Sequence, residues 1–285
     1  MINFFDFINE SILGKKLDDF LSSFPFSNNT IIVFDVETTG FNPRLPHVQI
    51  TELSAIPVDL KTGDLGDPFV RNIKLNPETL KKMEHEKENP VVQKSRVMSV
   101  ADVLKFQSYD IESSSHDEVD AAVDFKNYVE SHSNVIMVAH NATFDMGFIN
   151  GLLQREGIDR IKRPVIDTFK LAKVYLEPIL NIMASGGDAA GLAILEKLKD
   201  KSGYVRTTLS SLGSAFGVAT QGSHVAINDV IQTAILLKKI IEFIQEHYHK
   251  LDQEVVQSAF DSAKRNWQKF KKKVNLQRRG IELKK

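Results

Sequence analysis

The sequence predicts an α/β fold in which strands come first and strands and helices alternate afterwards, and three observations carry that expectation. The apolar, β-branched run Ile31-Ile32-Val33-Phe34 ends at Asp35-Val36-Glu37. Two further strand-like segments follow, Ile50 to Val58 and Phe69 to Leu75, with a turn at Thr62-Gly63-Asp64 between them. Beyond them, helical spacing over Asp120 to Ser131 and Met146 to Glu156 brackets a short buried run, Val135 to Ala139. From Asp229 to His247 the apolar residues Val230, Ile231, Ala234, Ile235, Leu237, Ile240, Ile241 and Ile244 mark a long helix packed on the sheet.

With 285 residues, 42% hydrophobic and 26% charged, the chain can build one large domain with appendages and reads as soluble and globular. It has no cysteine, which excludes disulfides, a thiolate nucleophile and Cys-ligated metals. Carboxylates, histidines and hydroxyls must therefore supply any chemistry. No secretory signal or membrane span is read, and the expected location is cytoplasmic.

Residues 1–29 are expected to form an N-terminal amphipathic helix, from about Phe4 to Leu21, and 30–250 the main domain. Two stretches, about 83–116 and 181–206, interrupt the pattern and read as insertions. Both could border an active site without contributing to it. Residues 251–285 form a basic extension. From Ser262 onward ten Lys and Arg face one acid, Glu282, although the whole chain has a formal charge of −1. Such a split suits an enzyme whose acids gather metal ions while a basic segment meets phosphates.

Asp35 and Glu37 stand two apart on a strand, so both side chains project from one face and can meet one metal ion. Asp145 closes His140-Asn141-Ala142-Thr143-Phe144-Asp145 at a strand-to-helix transition, and Asp229 closes His224-Val225-Ala226-Ile227-Asn228-Asp229 at a helix start. Taken singly, each acid is also explained as a solvated strand end or a helix cap. Together, four carboxylates can hold two hard divalent cations, which prefer oxygen ligands. Two such ions clamp the attacking and leaving oxygens of a phosphoryl displacement. His224, with an ordinary pKa near 6.5, suits a general base.

Phe34 to Gly40, His140 to Asp145 and His224 to Asp229 resemble, in order, the three motifs of the DEDDh family of 3′→5′ exonucleases, across roughly residues 30 to 245. The resemblance implies a ribonuclease H-like mixed sheet flanked by helices. It implies two Mg²⁺ or Mn²⁺ ions, with Asp35 bridging both, Glu37 and Asp229 on the nucleophile side and Asp145 on the other, and His224 as base. Thr38 and Phe41 match positions that cradle the terminal nucleotide, the first through polar contacts and the second by packing on a base. Asn141 assists the terminal sugar or braces its loop. Local likeness to ribonuclease T extends to Asp167-Thr168, but Lys82 stands where that enzyme offers an aromatic.

The expected activity is removal of 5′-mononucleotides from single-stranded 3′ ends, DNA in preference. An exoribonuclease is the alternative, and a non-catalytic nucleic-acid-binding or polymerase-associated protein is the reading from another class. A polymerase or replication partner is compatible with these expectations, and the oligomeric state stays open.

Overall fold

The computed structural model describes residues 21, 24, 26, 28–88, 98–110, 112–218 and 225–278, with side chains through residue 273. Five strands form one sheet: β1 (Thr30–Thr38), β2 (Ile50–Val58), β3 (Phe69–Asn72), β4 (Val135–Ala139) and β5 (Val165–Asp167). Their order is β3-β2-β1-β4-β5. The first three strands are antiparallel neighbours, and β4 and β5 run parallel to β1. This is the meander followed by α/β alternation that the sequence predicts.

Alternation along β1 divides the core. Ile31 and Val33 pack with Val230, Ala234, Leu237 and Ile241 of a long helix, Ala226–Tyr248, on one face. Ile32, Phe34 and Val36 pack on the other face, against Phe125 and Val129 of the helix Glu118–Ser131 and Met146 and Ile149 of the helix Ala142–Arg155. Side chains as fully buried as Phe34 contribute about 1.5–3 kcal/mol each. Helices therefore cover both faces of the sheet, and the charged residues of its central strand, Asp35 and Glu37, lie toward the strand's C-terminal end.

We number the described helices α1 (Pro77–Glu88), α2 (Val100–Phe106), α3 (Glu118–Ser131) and α4 (Ala142–Arg155). The next is α5 (Thr168–Leu171), which runs through a π-helical turn, Ala172–Leu176, into α6 (Glu177–Ser185). Then come α7 (Ala189–Leu198), α8 (Leu209–Phe216), α9 (Ala226–Tyr248) and α10 (Gln253–Arg278).

Several expectations change. The stretch 83–116, expected as polar loop, contains the end of α1 and all of α2, with Ser99 capping α2 by accepting from the Asp102 N–H. A seven-residue helix is too short to show periodicity. The stretch 181–206 is also helical and part of the core, since Leu195 and Leu198 are buried. The third strand stops at Asn72 rather than Leu75, and Ile73 keeps only an isolated bridge to His116. Strand β5 and helix α8 were not expected. The three residues of β5 fall below the length at which a strand pattern can be read.

The basic extension is not a separate appendage over the described residues. Val256, Phe260 and Trp267 of α10 are buried in the same core as α9. Of the expected N-terminal helix, nearly all lies outside the described residues, though Leu21 and Phe26 are buried. Among the described residues no helix is long and apolar enough to cross a membrane.

Candidate active site

The site is assembled at the C-terminal end of β1. Asp35 and Glu37 share the β1 face covered by α9, whose first turn carries Asp229. One carboxylate oxygen from each of Asp35, Glu37 and Asp229 lies within 4.8 Å of the others, and all three residues are partly buried. Asp145 comes from the other face, on the first turn of α4. Its Oδ1 accepts a hydrogen bond from the Val36 N–H at 3.3 Å, which ties α4 to the strand between Asp35 and Glu37. Its Oδ2 is buried with no hydrogen-bond partner among the described residues. The four sequence-predicted acids thus converge, three within ligand distance of one another and the fourth against the intervening peptide. The fifth predicted residue, His224, lies outside the described residues, immediately before Val225, which stands at the N-cap of α9.

A register shift between Glu37 and Thr38 interrupts the β1–β2 ladder. Such bulges re-aim side chains at strand ends. Gln107, just beyond α2, holds this point: its amide donates to the Thr38 carbonyl at 2.9 Å and accepts from the Thr51 hydroxyl at 3.1 Å. Gln107 also hydrogen-bonds the Glu37 side chain. The segment expected only to border the site therefore contributes to it. Nothing in its sequence marks Gln107, because its role depends on α2 folding back across β2.

The remaining predicted contacts divide. Phe41 is 82% exposed, its ring 6.3 Å edge-on from that of Phe144, so its open face is available to a base. Thr38 is buried and its hydroxyl donates to the Gly40 carbonyl at 2.8 Å, leaving its lone pairs to accept from a ligand. Asn141 is exposed, in the left-handed region at φ 70°, and its side chain makes no capping bond. Asp167 supports that turn by accepting from the N–H groups of Asn141, Phe169 and Lys170.

His140 is a different kind of histidine. Its Nδ1 lies 2.9 Å from the Thr168 hydroxyl, and burial pushes its pKa down to about 4, so it stands neutral as a brace between β4 and β5. Two further acids complete the charge distribution. Glu52 sits opposite Glu37 in the antiparallel register and accepts from Ser54, and buried Asp167 lies near Asp145. Sequence reading did not assign either to the site. Glu52 becomes visible only once β2 is registered on β1.

The RNase_T exonuclease family model matches residues 32–237. The chain belongs to the DEDDh family of 3′→5′ exonucleases. It is 29% identical over 228 residues to the DNA polymerase III PolC-type protein of Pediococcus pentosaceus, covering 79% of this chain. To the corresponding protein of Halalkalibacterium halodurans it is 34% identical over 158 residues, 55% of this chain. It spans only 12% and 9% of the length of those two relatives. In fold it resembles E. coli Exonuclease I in complex with a dT13 oligonucleotide, at a TM-score of 0.55 and 14% identity, covering 81% of this chain and 46% of that one. Exonuclease I of Methylocaldum szegediense is similar at 0.52 and 17%, covering 76% and 43%. The architecture is accordingly of the ribonuclease H type.

At this site, burial combined with repulsion from like charges dominates the electrostatics. The carboxyl of Asp35 is pushed well above the usual range, first by desolvation and then by Asp145, Glu37, Asp229 and Glu52. Glu37 is pushed up to about 8 by burial, Asp229 and Glu52, against a smaller opposing effect of Gln107. Asp145 is raised mainly by burial, against its bonds to backbone N–H groups. The charges that act most strongly on Asp35 are all negative, and a divalent cation is the group such a set fits.

This arrangement predicts a pH-dependent stability. An acid whose folded pKa exceeds its unfolded value takes up protons on folding, so its contribution is fully present below the unfolded pKa and is lost as pH rises through the folded one. With Glu37 moving from 4.5 to about 8, the metal-free protein should lose stability between about pH 4.5 and 8. Cations favour the ionised carboxylates and offset that loss. Melting in chelator and in Mg²⁺ at pH 5.5 and pH 8 should show an Mg²⁺ increment larger at pH 8 by roughly 5 °C. An equal increment at both values would contradict the electrostatic picture.

Proposed function

We propose that the exonuclease hydrolyses single-stranded nucleic acid, with DNA preferred, from the 3′ end to 5′-mononucleotides. The observation that carries this reading is the meeting of Asp35, Glu37 and Asp229 oxygens within 4.8 Å beside the unpartnered, buried Oδ2 of Asp145. The residues that would hold two Mg²⁺ or Mn²⁺ ions are Asp35, Glu37, Asp145 and Asp229. When bound, those ions supply Lewis-acid stabilisation of charge on the phosphoryl oxygens and a lowered pKa for the attacking water.

The chain's own residues do the rest. A ring nitrogen of His224 accepts the proton of the attacking water, and Phe41 packs on the terminal base while Thr38 and Asn141 meet the terminal nucleotide. Gln107 keeps Glu37 in place at the bulge. The preference for DNA is supported by the relatives' names, DNA polymerases, and by the fold neighbour that binds a dT13 oligonucleotide. The same names support a polymerase or replication setting for the chain.

One time course tests the reading, with single-stranded DNA, RNA of the same sequence and a closed circular single strand, each with Mg²⁺ and with excess chelator. Linear DNA should be shortened from its 3′ end, RNA more slowly, and the circle should survive. Cutting of circles would indicate an endonuclease, and full activity in chelator would remove the metal assignment.

A further inference from the structure

The four acids come from β1, α4 and α9, and a neutral side chain reaches them from a different part of the fold. Gln107 closes α2, and the end of that helix is fastened to the sheet at three points. The Gln107 amide nitrogen donates to the Thr38 carbonyl at 2.9 Å, and its amide oxygen accepts from the Thr51 hydroxyl at 3.1 Å. Two residues on, the Tyr109 phenol donates to the Ile73 carbonyl at 2.7 Å. Ile73 in turn donates its N–H to the Thr51 carbonyl at 2.9 Å. The start of α2 is tied as well, because the Glu86 carboxylate accepts from the Val100 N–H at 2.8 Å. A helix of seven residues is marginal by itself, so these contacts and the burial of Val100 and Leu104 fix α2 and, with it, Gln107.

Gln107 and Thr51 are both buried, and a buried amide must place two donors and one acceptor. The Thr38 carbonyl can only accept, so it faces the amide nitrogen. On the other side the Thr51 hydroxyl donates to the amide oxygen. The remaining N–H is left for Glu37, whose side chain Gln107 hydrogen-bonds. Turned over, the amide would set its oxygen against the Thr38 carbonyl and the Glu37 carboxylate, which are both acceptors. The Thr51 hydroxyl therefore holds the amide in the one orientation that serves Glu37.

This contact opposes the repulsion that Glu37 meets from Asp229 and Glu52, since an N–H donor favours the ionised carboxylate. A carboxylate held through one oxygen offers the other to a cation, and an oxygen of Glu37 gathers with those of Asp35 and Asp229 within 4.8 Å. Partners that orient metal ligands from behind are worth roughly 10- to 100-fold in metal affinity.

We infer that Thr51 and Gln107 form a positioning relay: the Thr51 hydroxyl orients the Gln107 amide, and the amide holds the Glu37 carboxylate ready for a divalent cation. The pair thereby sets how tightly the site takes up metal. The inference rests on the metal reading of the four acids, and it adds a buried hydroxyl of β2 to the residues that govern the site.

The test is a titration of the full metal-free chain with Mn²⁺, read from the electron paramagnetic resonance signal of free Mn²⁺, beside melting curves in chelator. Gln107→Met keeps most of the side-chain bulk and removes both hydrogen-bonding groups. It should raise the half-saturating Mn²⁺ concentration roughly 10- to 100-fold. Thr51→Val should shift it in the same direction by a smaller factor, whereas Thr51→Ser, which keeps the hydroxyl, should restore parental binding. Adding Thr51→Val to Gln107→Met should cause no further shift, because Thr51 acts through the amide. In a hydrolysis assay the weakened variants should lose more rate at low Mn²⁺ than at saturating Mn²⁺. The two Thr51 variants alter a single group each and carry the test should Gln107→Met fail to fold.

A lowered melting temperature in chelator with parental Mn²⁺ binding, in Gln107→Met or in Thr51→Val, would reduce the pair to packing and overturn the relay. Shifts that multiply in the double variant would overturn it too, and both results leave the metal reading intact. A parental chain that takes up no Mn²⁺ would overturn the metal reading and the relay together.

Discussion

On the proposed function, Asp35→Asn should lower kcat on a single-stranded oligonucleotide about 10³-fold or more, while raising the melting temperature of the metal-free protein. The two effects have one cause. Asp35 lies at the centre of a carboxylate group in which Asp145, Glu37, Asp229 and Glu52 all disfavour its charge. An amide of the same shape removes that repulsion and is not penalised by burial as an ion is. It also removes one anionic oxygen from the group that could hold a metal ion. Cations at such sites contribute several kcal/mol of transition-state stabilisation, and each 1.36 kcal/mol is a factor of ten. Hydrolysis rates and melting curves, each with Mg²⁺ and with chelator, check both halves. A variant that keeps the parental rate, or still shows the parental Mg²⁺ increment in melting, would remove Asp35 from the metal site.

The parts of this site legible in the sequence are those that follow from period and position. Asp35 and Glu37 are two apart on a strand, so their common face is dictated by the pleat, and Asp229 stands in the first turn of a long apolar helix. What brings Asp229 to them is the packing of Val230, Ala234 and Leu237 against Ile31 and Val33, which the same apolar pattern encodes. Asp145 was legible as a strand-to-helix acid. Its bond to the Val36 N–H was not, because it spans 109 positions.

The unread residues share a different property. Glu52 enters the site through antiparallel register, and Gln107 through the return of a seven-residue helix across β2. Asp167 enters through a three-residue strand. Each depends on contacts between segments whose own signals are short or polar. The tail shows the opposite case, since its ten basic residues suggested a segment that meets phosphates. In the structure one side of α10 is core, through Val256, Phe260 and Trp267, while Phe270 stays exposed beside the lysines. Charge dominated the composition and obscured the spacing of the buried positions.

The second large expected effect belongs to His224. Two motif histidines precede the acids of their segments, and of the two only His140 lies among the described residues. His140 is half-buried beside the Thr168 hydroxyl with its pKa driven to about 4, and such a weak base does not take a proton from water near pH 7. We propose His224, five residues before Asp229 and next to the start of α9, for the base role. His224→Ala should lower kcat roughly 10² to 10⁴-fold at pH 7. It should leave the Mg²⁺ increment in melting nearly intact, because the four carboxylates remain. The parental rate should rise with pH through a value near 6.5, the ordinary histidine pKa, and the variant should lose that rise. His140→Ala is the control: without the hydrogen bond to Thr168 the fold should be less stable, yet the rise near pH 6.5 should persist. Normal turnover by His224→Ala at pH 7, or an unchanged pH profile at reduced rate, would assign proton transfer to another group in the site.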